Sequence, residues 1–457
     1  MPAAKRSVPL GSATAPSPSP PRRPAGWIGS RPLAATNASY ATLYAVDGAL
    51  LPFLSVFLAY AHGFSTREIG FVLAAASAAA VVAPPVLTVL ADRYGRAELL
   101  LLTMLVASAA ALLAFAYADG YWSILVVYAA FSLVREPTRP LLDGIFFTSQ
   151  RVIPALAGVS YHRSRIWGTF GYMVPGVLLY FALTDEDRLR YLPLGAAGLA
   201  LLGVVTAWFL PTRRGDGHLA RVAAVAAEGP GGPEADVVRG GGTAEGDDAG
   251  GGTAHGGTTI AVMMRAAGSL LRRRTTAMFI VAMFLLQAAM AAYFAFYPLQ
   301  ATEVVGLSPR WLGLVTNFGV LLELGYMAGF GWLVRRLGWR WLMVLGATGM
   351  AVRVALLAAI PTIAVVVGTQ VLHGLVIVVS MVAGRVILDR HAPDEIRHTA
   401  QGLYAMLVLG GGKIVGSALG GLVAAQSLSA VFWSASGVAV VSALILSRAL
   451  RHEGDTA

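Results

Sequence analysis

The sequence predicts an all-α polytopic membrane protein with twelve transmembrane helices arranged as two six-helix bundles. Three observations carry that prediction. The 457 residues are 56% hydrophobic and only 13% charged, with a mean hydropathy of +0.67, whereas a soluble chain carries about a quarter charged residues. The apolar content falls into twelve segments of about 20 residues, the length that crosses a hydrocarbon core of roughly 30 Å. A Gly-rich polar tract separates the first six segments from the last six.

In chain order, residues 1–33 form a basic, Pro- and Ser-rich arm without the apolar run of a secretory signal, and are expected to be disordered and cytoplasmic. Six segments near 34–60, 67–91, 97–118, 121–145, 162–183 and 190–210 make an N-terminal bundle, 34–210. The interval 211–275 contains "EGPGGPEADVVRGGGTAEGDDAGGGTAHGG", which cannot bury apolar surface and is expected to be a flexible cytoplasmic linker. Segments near 276–300, 309–334, 341–360, 362–388, 397–424 and 428–448 make a C-terminal bundle, 276–450, and 451–457 form a short cytoplasmic tail.

Arginines gather in alternate loops: Arg93 and Arg96, Arg151 and Arg163, Arg213 and Arg214, Arg272 to Arg274, Arg335, Arg336 and Arg340, and Arg390 and Arg397. By the positive-inside rule both termini and the linker are expected in the cytoplasm, with the protein in the plasma (inner) membrane. The net charge of +10 is therefore an orientation signal, and no nucleic-acid partner is expected. The absence of cysteine excludes disulfides and thiolate sites. No G-x-x-x-x-G-K-[ST] or H-E-x-x-H pattern occurs, so neither an ATP-driven pump nor a metalloenzyme is indicated. The reading is of a chain that is no enzyme and has no metal or cofactor beyond a coupling proton.

An internal repeat supports the division into halves. Ser65 and Gly70 of "STREIG" recur 243 residues later as Ser308 and Gly313 of "SPRWLG", and the same separation takes Gly95 of "DRYGR" to Gly338 of "RRLGW". Tandem six-helix units related this way hold their substrate between the units, near the membrane midplane.

The stretch "LADRYGR" resembles the loop motif between helices 2 and 3 of the major facilitator superfamily, roughly G-x-L-A-D-R-x-G-R-R. Leu90, Ala91, Asp92, Arg93, Gly95 and Arg96 match it, while Thr88 replaces a glycine and Ala97 a second basic residue. The resemblance implies the major facilitator fold and a cytoplasmic gate in which Asp92, Arg93, Gly95 and Arg96 help latch the two halves. The second copy has Arg335 in place of the acid, so any latch is asymmetric.

Over most of 34–450 the chain is similar to the lactose-permease-like and phenylpropionate-permease-like branch, through "PLLDGIF", "RSRIWGTFGY", "VTNFGVLLELG", "MAVRVALLAAIP" and "VVGTQVLHG". In lactose permeases an acid on helix 4 and an arginine on helix 5 hold the sugar, and Asp143 and Arg165 fall on those positions. Arg353 and His373 match an arginine on helix 9 and a histidine on helix 10 of the proton-coupling network. Val376 and Val320 replace two acids of that network, although Glu323 lies one turn along from Val320. Lactose specificity is not implied.

An ionisable group inside a spanning helix costs roughly 2.5–3.5 kcal/mol on insertion scales, so each one needs a partner or a task. Glu323, His373 and Arg353 are the candidates for proton coupling. Asp143, Arg165, Asp47, Lys413, Gln370 and Asn317 are the candidates for substrate contact. Burial favours a neutral carboxyl and a neighbouring cation a charged one, so Glu323 reads either as a proton carrier or as a fixed ion pair with Arg353. Asp143 has two candidate partners, Arg165 and, four residues away on the same helix, Arg139. Lactose permeases pair a lysine at the place of Lys413 with an aspartate on helix 7, but "FLLQAAMAAYFAFYP" has none. Asp47, a bound anion or solvent are the remaining partners. Gly412, Gly416 and Gly420 form a small-residue face suited to close helix packing.

The expected function is secondary active transport, a proton-coupled symport of a small organic solute by alternating access, performed by a monomer in the lipid bilayer. An organic or aromatic acid is favoured as cargo, ahead of a sugar or nucleoside. The alternatives are an exporter on the same fold and a membrane sensor or scaffold that moves nothing.

Overall fold

The computed structural model describes residues 30–94, 97–210, 273–391 and 397–451, without the side chains of 84–94, 391 and 397–399. All of the expected arm but residues 30–33, all of the expected linker but residues 273–275, and all but one residue of the tail therefore lie outside the described residues, as do Gly95 and Arg96. Arg31 to Leu33, expected to be disordered, instead open the first helix, where the Ser30 hydroxyl caps it. Asp92 and Arg93 lie at the end of a helix where side chains are not described. Every described element is helical.

Among the described residues, seventeen α-helices carry the fold. In the first half they are α1 (Arg31–Leu50), α2 (Leu54–His62), α3 (Thr66–Tyr94), α4 (Ala97–Tyr117), α5 (Tyr121–Arg135), α6 (Thr138–Val152), α7 (Tyr161–Ala182) and α8 (Leu192–Trp208). In the second half they are α9 (Arg274–Leu299), α10 (Leu312–Ala328), α11 (Phe330–Ala359), α12 (Ile363–Gly368), α13 (Val371–Ile377), α14 (Gly384–His391), α15 (Arg397–Tyr404), α16 (Gly411–Ala424) and α17 (Leu428–Ala449). Short π-helical turns at Gln300–Val304, Val378–Ala383 and Ala405–Gly410 extend or join them.

Among the described residues, nine spans are long and apolar enough to cross a membrane, or ten if α1 and α2, bent by 47° at their junction, form one crossing. The two expected segments missing from that count are the fourth and fifth. The fourth is two helices of 15 residues, α5 and α6, parted at Glu136–Pro137, and it bears Arg135, Glu136, Arg139 and Asp143. The fifth, α7, bears Arg163 and Arg165 among glycines and aromatics. The fourth thus falls short on helix length and the fifth on composition.

The repeat is visible in the backbone. Gly63 and Gly306, 243 residues apart, both adopt left-handed φ (67° and 76°), a conformation that suits glycine, and each precedes its repeat serine by two residues. Gly338, at φ 71°, turns the chain inside α11 between what sequence separates as two segments. Ser65 and Glu68 complete a capping box at the start of α3: the Glu68 carboxylate accepts from the Ser65 N–H at 2.8 Å and from its hydroxyl at 2.7 Å, and the Ser65 Oγ accepts from the Glu68 N–H at 3.4 Å.

The halves join chiefly through two helix pairs, α3 with α16 and α7 with α10, and α2 and α3 also touch α9. Further links lie at the same end of the bundle, the one carrying the Ser65 and Ser308 turns. The Ser55 hydroxyl donates to the Ala295 carbonyl at 2.5 Å, the Asn317 amide donates to the Met173 carbonyl at 2.7 Å, and the Tyr180 ring meets the Trp311 ring at 4.7 Å. That end is closed. Mid-bundle, Glu136, Arg139, Glu323 and Lys413 keep solvent exposure.

Candidate functional site: the cleft between the bundles

In the first half, Asp47 on α1 is buried, and each of its carboxylate oxygens takes a different arginine. Oδ1 lies 3.1 Å from Arg135 Nη2, and Oδ2 lies 2.9 Å from Arg139 Nη2. Arg135 ends α5 and Arg139 lies in the first turn of α6, so one carboxylate ties both arms of the interrupted crossing. Arg135 also donates to Thr138 Oγ1 at 3.0 Å and to the Leu43 carbonyl, while Arg139 Nη1 donates to Glu136 at 3.0 Å.

Arg139 is thereby turned away from Asp143, and Arg165 does not reach it either: among the described residues Asp143 has no ion pair. Its Oδ1 accepts from the Tyr40 hydroxyl at 2.7 Å, and the Tyr161 phenol is near enough to interact with it. Arg165 instead lies over the Tyr44 ring, 4.0 Å from its centroid, with Arg139 at 5.6 Å from the same ring. The competition left open by sequence resolves to neither arginine.

In the second half, Arg353 is 1% exposed. It donates to the Tyr293 hydroxyl at 2.5 Å, to Gln370 Oε1 at 2.8 Å and to His373 Nδ1 at 3.1 Å, and it also lies over the Tyr293 ring. Gln370 in turn donates to the Tyr297 hydroxyl at 2.8 Å. A guanidinium offers only donors, so Nδ1 of His373 must accept, and the ring proton resides on Nε2. That Nε2 faces Glu323 Oε2 at 3.7 Å. Glu323 is therefore not paired with Arg353 directly; His373 stands between them. Small residues permit the approach: a Cβ at Gly319 would lie 2.6 Å from Gln370 Oε1, and one at Gly374 would lie 2.7 Å from the Glu323 Cα.

The remaining candidates are dispersed. Asn317 spends its amide on the other half's backbone, at Met173. Lys413 is exposed on α16 and, among the described residues, has no acid within 4 Å. Asp47, weighed as its partner, is taken by the two arginines. No group of three or more metal-ligating side chains occurs among the described residues. Sequence reading did not single out Arg135, Tyr40, Tyr161 or Tyr297 as working residues. The four-residue spacing of Tyr293 with Tyr297 was an available signal, since it puts the pair on one helix face, whereas Arg135 and Arg139 lie on either side of the break at Glu136–Pro137.

Two helical bundles, closed against each other at one end and lined at mid-depth by buried ion networks along a cleft, define a secondary transporter of the major facilitator type. Residues 34–435 match the MFS_1 like family, and the chain belongs to it; the protein is a multi-pass membrane transporter and not an enzyme. YegT of Escherichia coli (strain K12), assigned as a nucleoside transporter, is 25% identical over 373 residues, covering 79% of this chain and 77% of that protein. The maltose permease of Geobacillus stearothermophilus is 26% identical over 415 residues, covering 91% of this chain and 93% of the permease. The crystal structure of the nucleoside transporter NupG superposes with a TM-score of 0.73 at 19% identity, covering 92% of this chain and 99% of NupG. A peptide transporter POT structure gives 0.66 at 15% identity, over 93% and 95%.

Proposed function

We propose that this transporter is a proton-coupled symporter of a small organic solute, working by alternating access with its termini in the cytoplasm. The observation that supports this most is the Glu323–His373–Arg353 connection. Glu323 is partly open to the cleft and touches a neutral imidazole, while Arg353 is engaged by Tyr293, Gln370 and His373. Protonating Glu323 strands no buried cation, because its partner across the contact is neutral. That freedom is what a proton carrier needs.

The favoured cargo is an organic or aromatic acid, because Arg165 and Lys413, one on each half, have no acidic partner within 4 Å among the described residues. A nucleoside or sugar is the second reading. It is favoured by the relatives' names and by Asp143 with Tyr40 and Tyr161, which present acceptors and phenols to a hydroxylated solute.

The test is uptake of benzoate, uridine and maltose into proteoliposomes, with and without an inward-directed proton gradient, in wild type and Glu323→Gln. Gradient-stimulated uptake in wild type that is lost in the variant supports the reading. Stimulated uptake that survives the variant assigns the proton elsewhere. Flux only against the proton gradient makes the protein an exporter, and ligand binding without counterflow makes it a sensor.

A further inference from the structure

We infer that Lys413 on α16 and the amide of Gln287 on α9 form an anion subsite in the wall of the cleft, suited to a small organic acid with a hydroxyl beside its carboxylate. The inference deepens the preceding reading of an acidic cargo and rests on it.

The faces of α16 fix where Lys413 points. Ser417 and Gly421 meet α3 of the other half: a Cβ at Gly70 would lie 2.6 Å from the Ser417 carbonyl oxygen and 2.7 Å from the Gly421 Cα, and Gly410, just ahead of α16, abuts Val81. Gly412, Gly416 and Gly420 meet α9, their Cβ positions lying 2.8 Å from Gln287 Cβ, 2.9 Å from Ala288 Cα and 3.1 Å from Ala292 Cβ. With 3.6 residues per turn, Lys413 projects between these two sets, into the wedge where α3 of one half and α9 of the other flank α16. Leu419 and Leu422, the exposed apolar residues of this helix, turn away from that wedge. A lysine flanked by two packed faces and still exposed looks into an open cleft and not into lipid.

Gln287 supplies the second, independent observation. It is 3% exposed, its Cβ and Cγ lie against Gly412, the residue next to Lys413, and its Oε1 is buried with no hydrogen-bond donor. Buried polar atoms are normally satisfied, so an orphan of this kind calls for a partner. The two groups are complementary toward one ligand. The ammonium neutralises a carboxylate, and Oε1 accepts from a neighbouring hydroxyl or N–H. An uncompensated cation among spanning helices is costly, and a carboxylate relieves that cost only while it is bound.

The test uses the full chain in lipid nanodiscs and three probes: mandelate, its neutral amide mandelamide, and phenylacetate, which lacks the hydroxyl. Mandelate is expected to bind wild type and to lose at least tenfold in Lys413→Met, with mandelamide unaffected. Gln287→Leu is expected to weaken mandelate more than phenylacetate. Mandelate binding that is unchanged in Lys413→Met, or no carboxylate binding to wild type, overturns the inference. Gradient-driven uptake of uridine or maltose alongside that result leaves the transport reading standing. A ligand-independent arm measures melting of Gln287→Asp. The new carboxylate is expected to be tolerated opposite Lys413 and to lower Tm in the Lys413→Met background. Equal effects in both backgrounds contradict the shared site.

Discussion

Gly70 and Gly421 meet backbone to backbone: a Cβ on Gly70 would lie 2.7 Å from the Gly421 Cα, inside any ordinary contact distance. Gly313, the repeat partner of Gly70, meets Gly176 in the same way, at 2.6 Å. Each copy of the repeat thus supplies a point at which the halves touch backbone to backbone. Small residues allow such approach because membrane helices associate by packing, with no solvent to drive them together.

Side chains at these points should pry the closed end apart. Gly70→Leu combined with Gly313→Leu is expected to shift the population toward a form open at the Ser65 and Ser308 end. The chain has no cysteine, so spin labels at Ala61 and Val304 report only their own separation. A longer distance population is the expected result, and an unchanged distribution contradicts the assignment of these glycines to closure.

Asp47 is expected to hold the interrupted crossing together. Removing one partner of a buried ion pair costs about 3–5 kcal/mol, so Asp47→Asn, which leaves Arg135 buried, should lower thermal stability markedly. Glu136→Gln breaks a half-exposed pair with Arg139 and should change stability by no more than about 1 kcal/mol. Melting of the two purified variants checks the contrast, and equal losses would show that Asp47 has no special place.

The orientation of His373 predicts a pH result. Its Nδ1 accepts from Arg353, so a second ring proton would set two N–H groups against each other. The pH dependence of uptake should therefore follow Glu323, with uptake falling as pH rises on the side from which the proton comes. His373→Gln keeps an acceptor for Arg353 and should preserve the shape of that profile, whereas Glu323→Gln should flatten it. A profile that flattens with His373→Gln instead moves the proton to the histidine.

Tyr40 is expected to hold Asp143 away from Arg165. Hydrogen bonds to charged groups contribute about 1.5–3 kcal/mol, and Tyr40→Phe should cost an amount in that range. In a double-mutant cycle with Asp143→Asn the combined loss should be smaller than the sum of the two. Additive losses would mean that the 2.7 Å contact contributes nothing.

The fold class was legible because hydrocarbon thickness sets segment length and because the Ser65/Gly70 and Ser308/Gly313 repeat marks equivalent places. The small-residue face at Gly412, Gly416 and Gly420 was legible too, since spacing alone puts the three on one side of α16, where they meet α9. Ionic pairing was not legible. Arg139 and Asp143 have the spacing of a helical pair, yet Arg139 binds Asp47, 92 residues away, because the rotation of one helix against another decides which charges meet. The same limit hid His373 between Glu323 and Arg353, and it hid Gln287 beside Gly412. Arg135 went unnoticed because it sits at the break before Pro137, where an apolar count sees one continuous segment.

The central claim is that a proton bound at Glu323 moves with the solute through the cleft. Proteoliposomes with a trapped pH-sensitive dye, given solute outside and no initial pH gradient, test it directly. Wild type should acidify the lumen as solute enters, while Glu323→Gln should exchange solute without acidification. Luminal acidification of equal size in the variant would contradict the account.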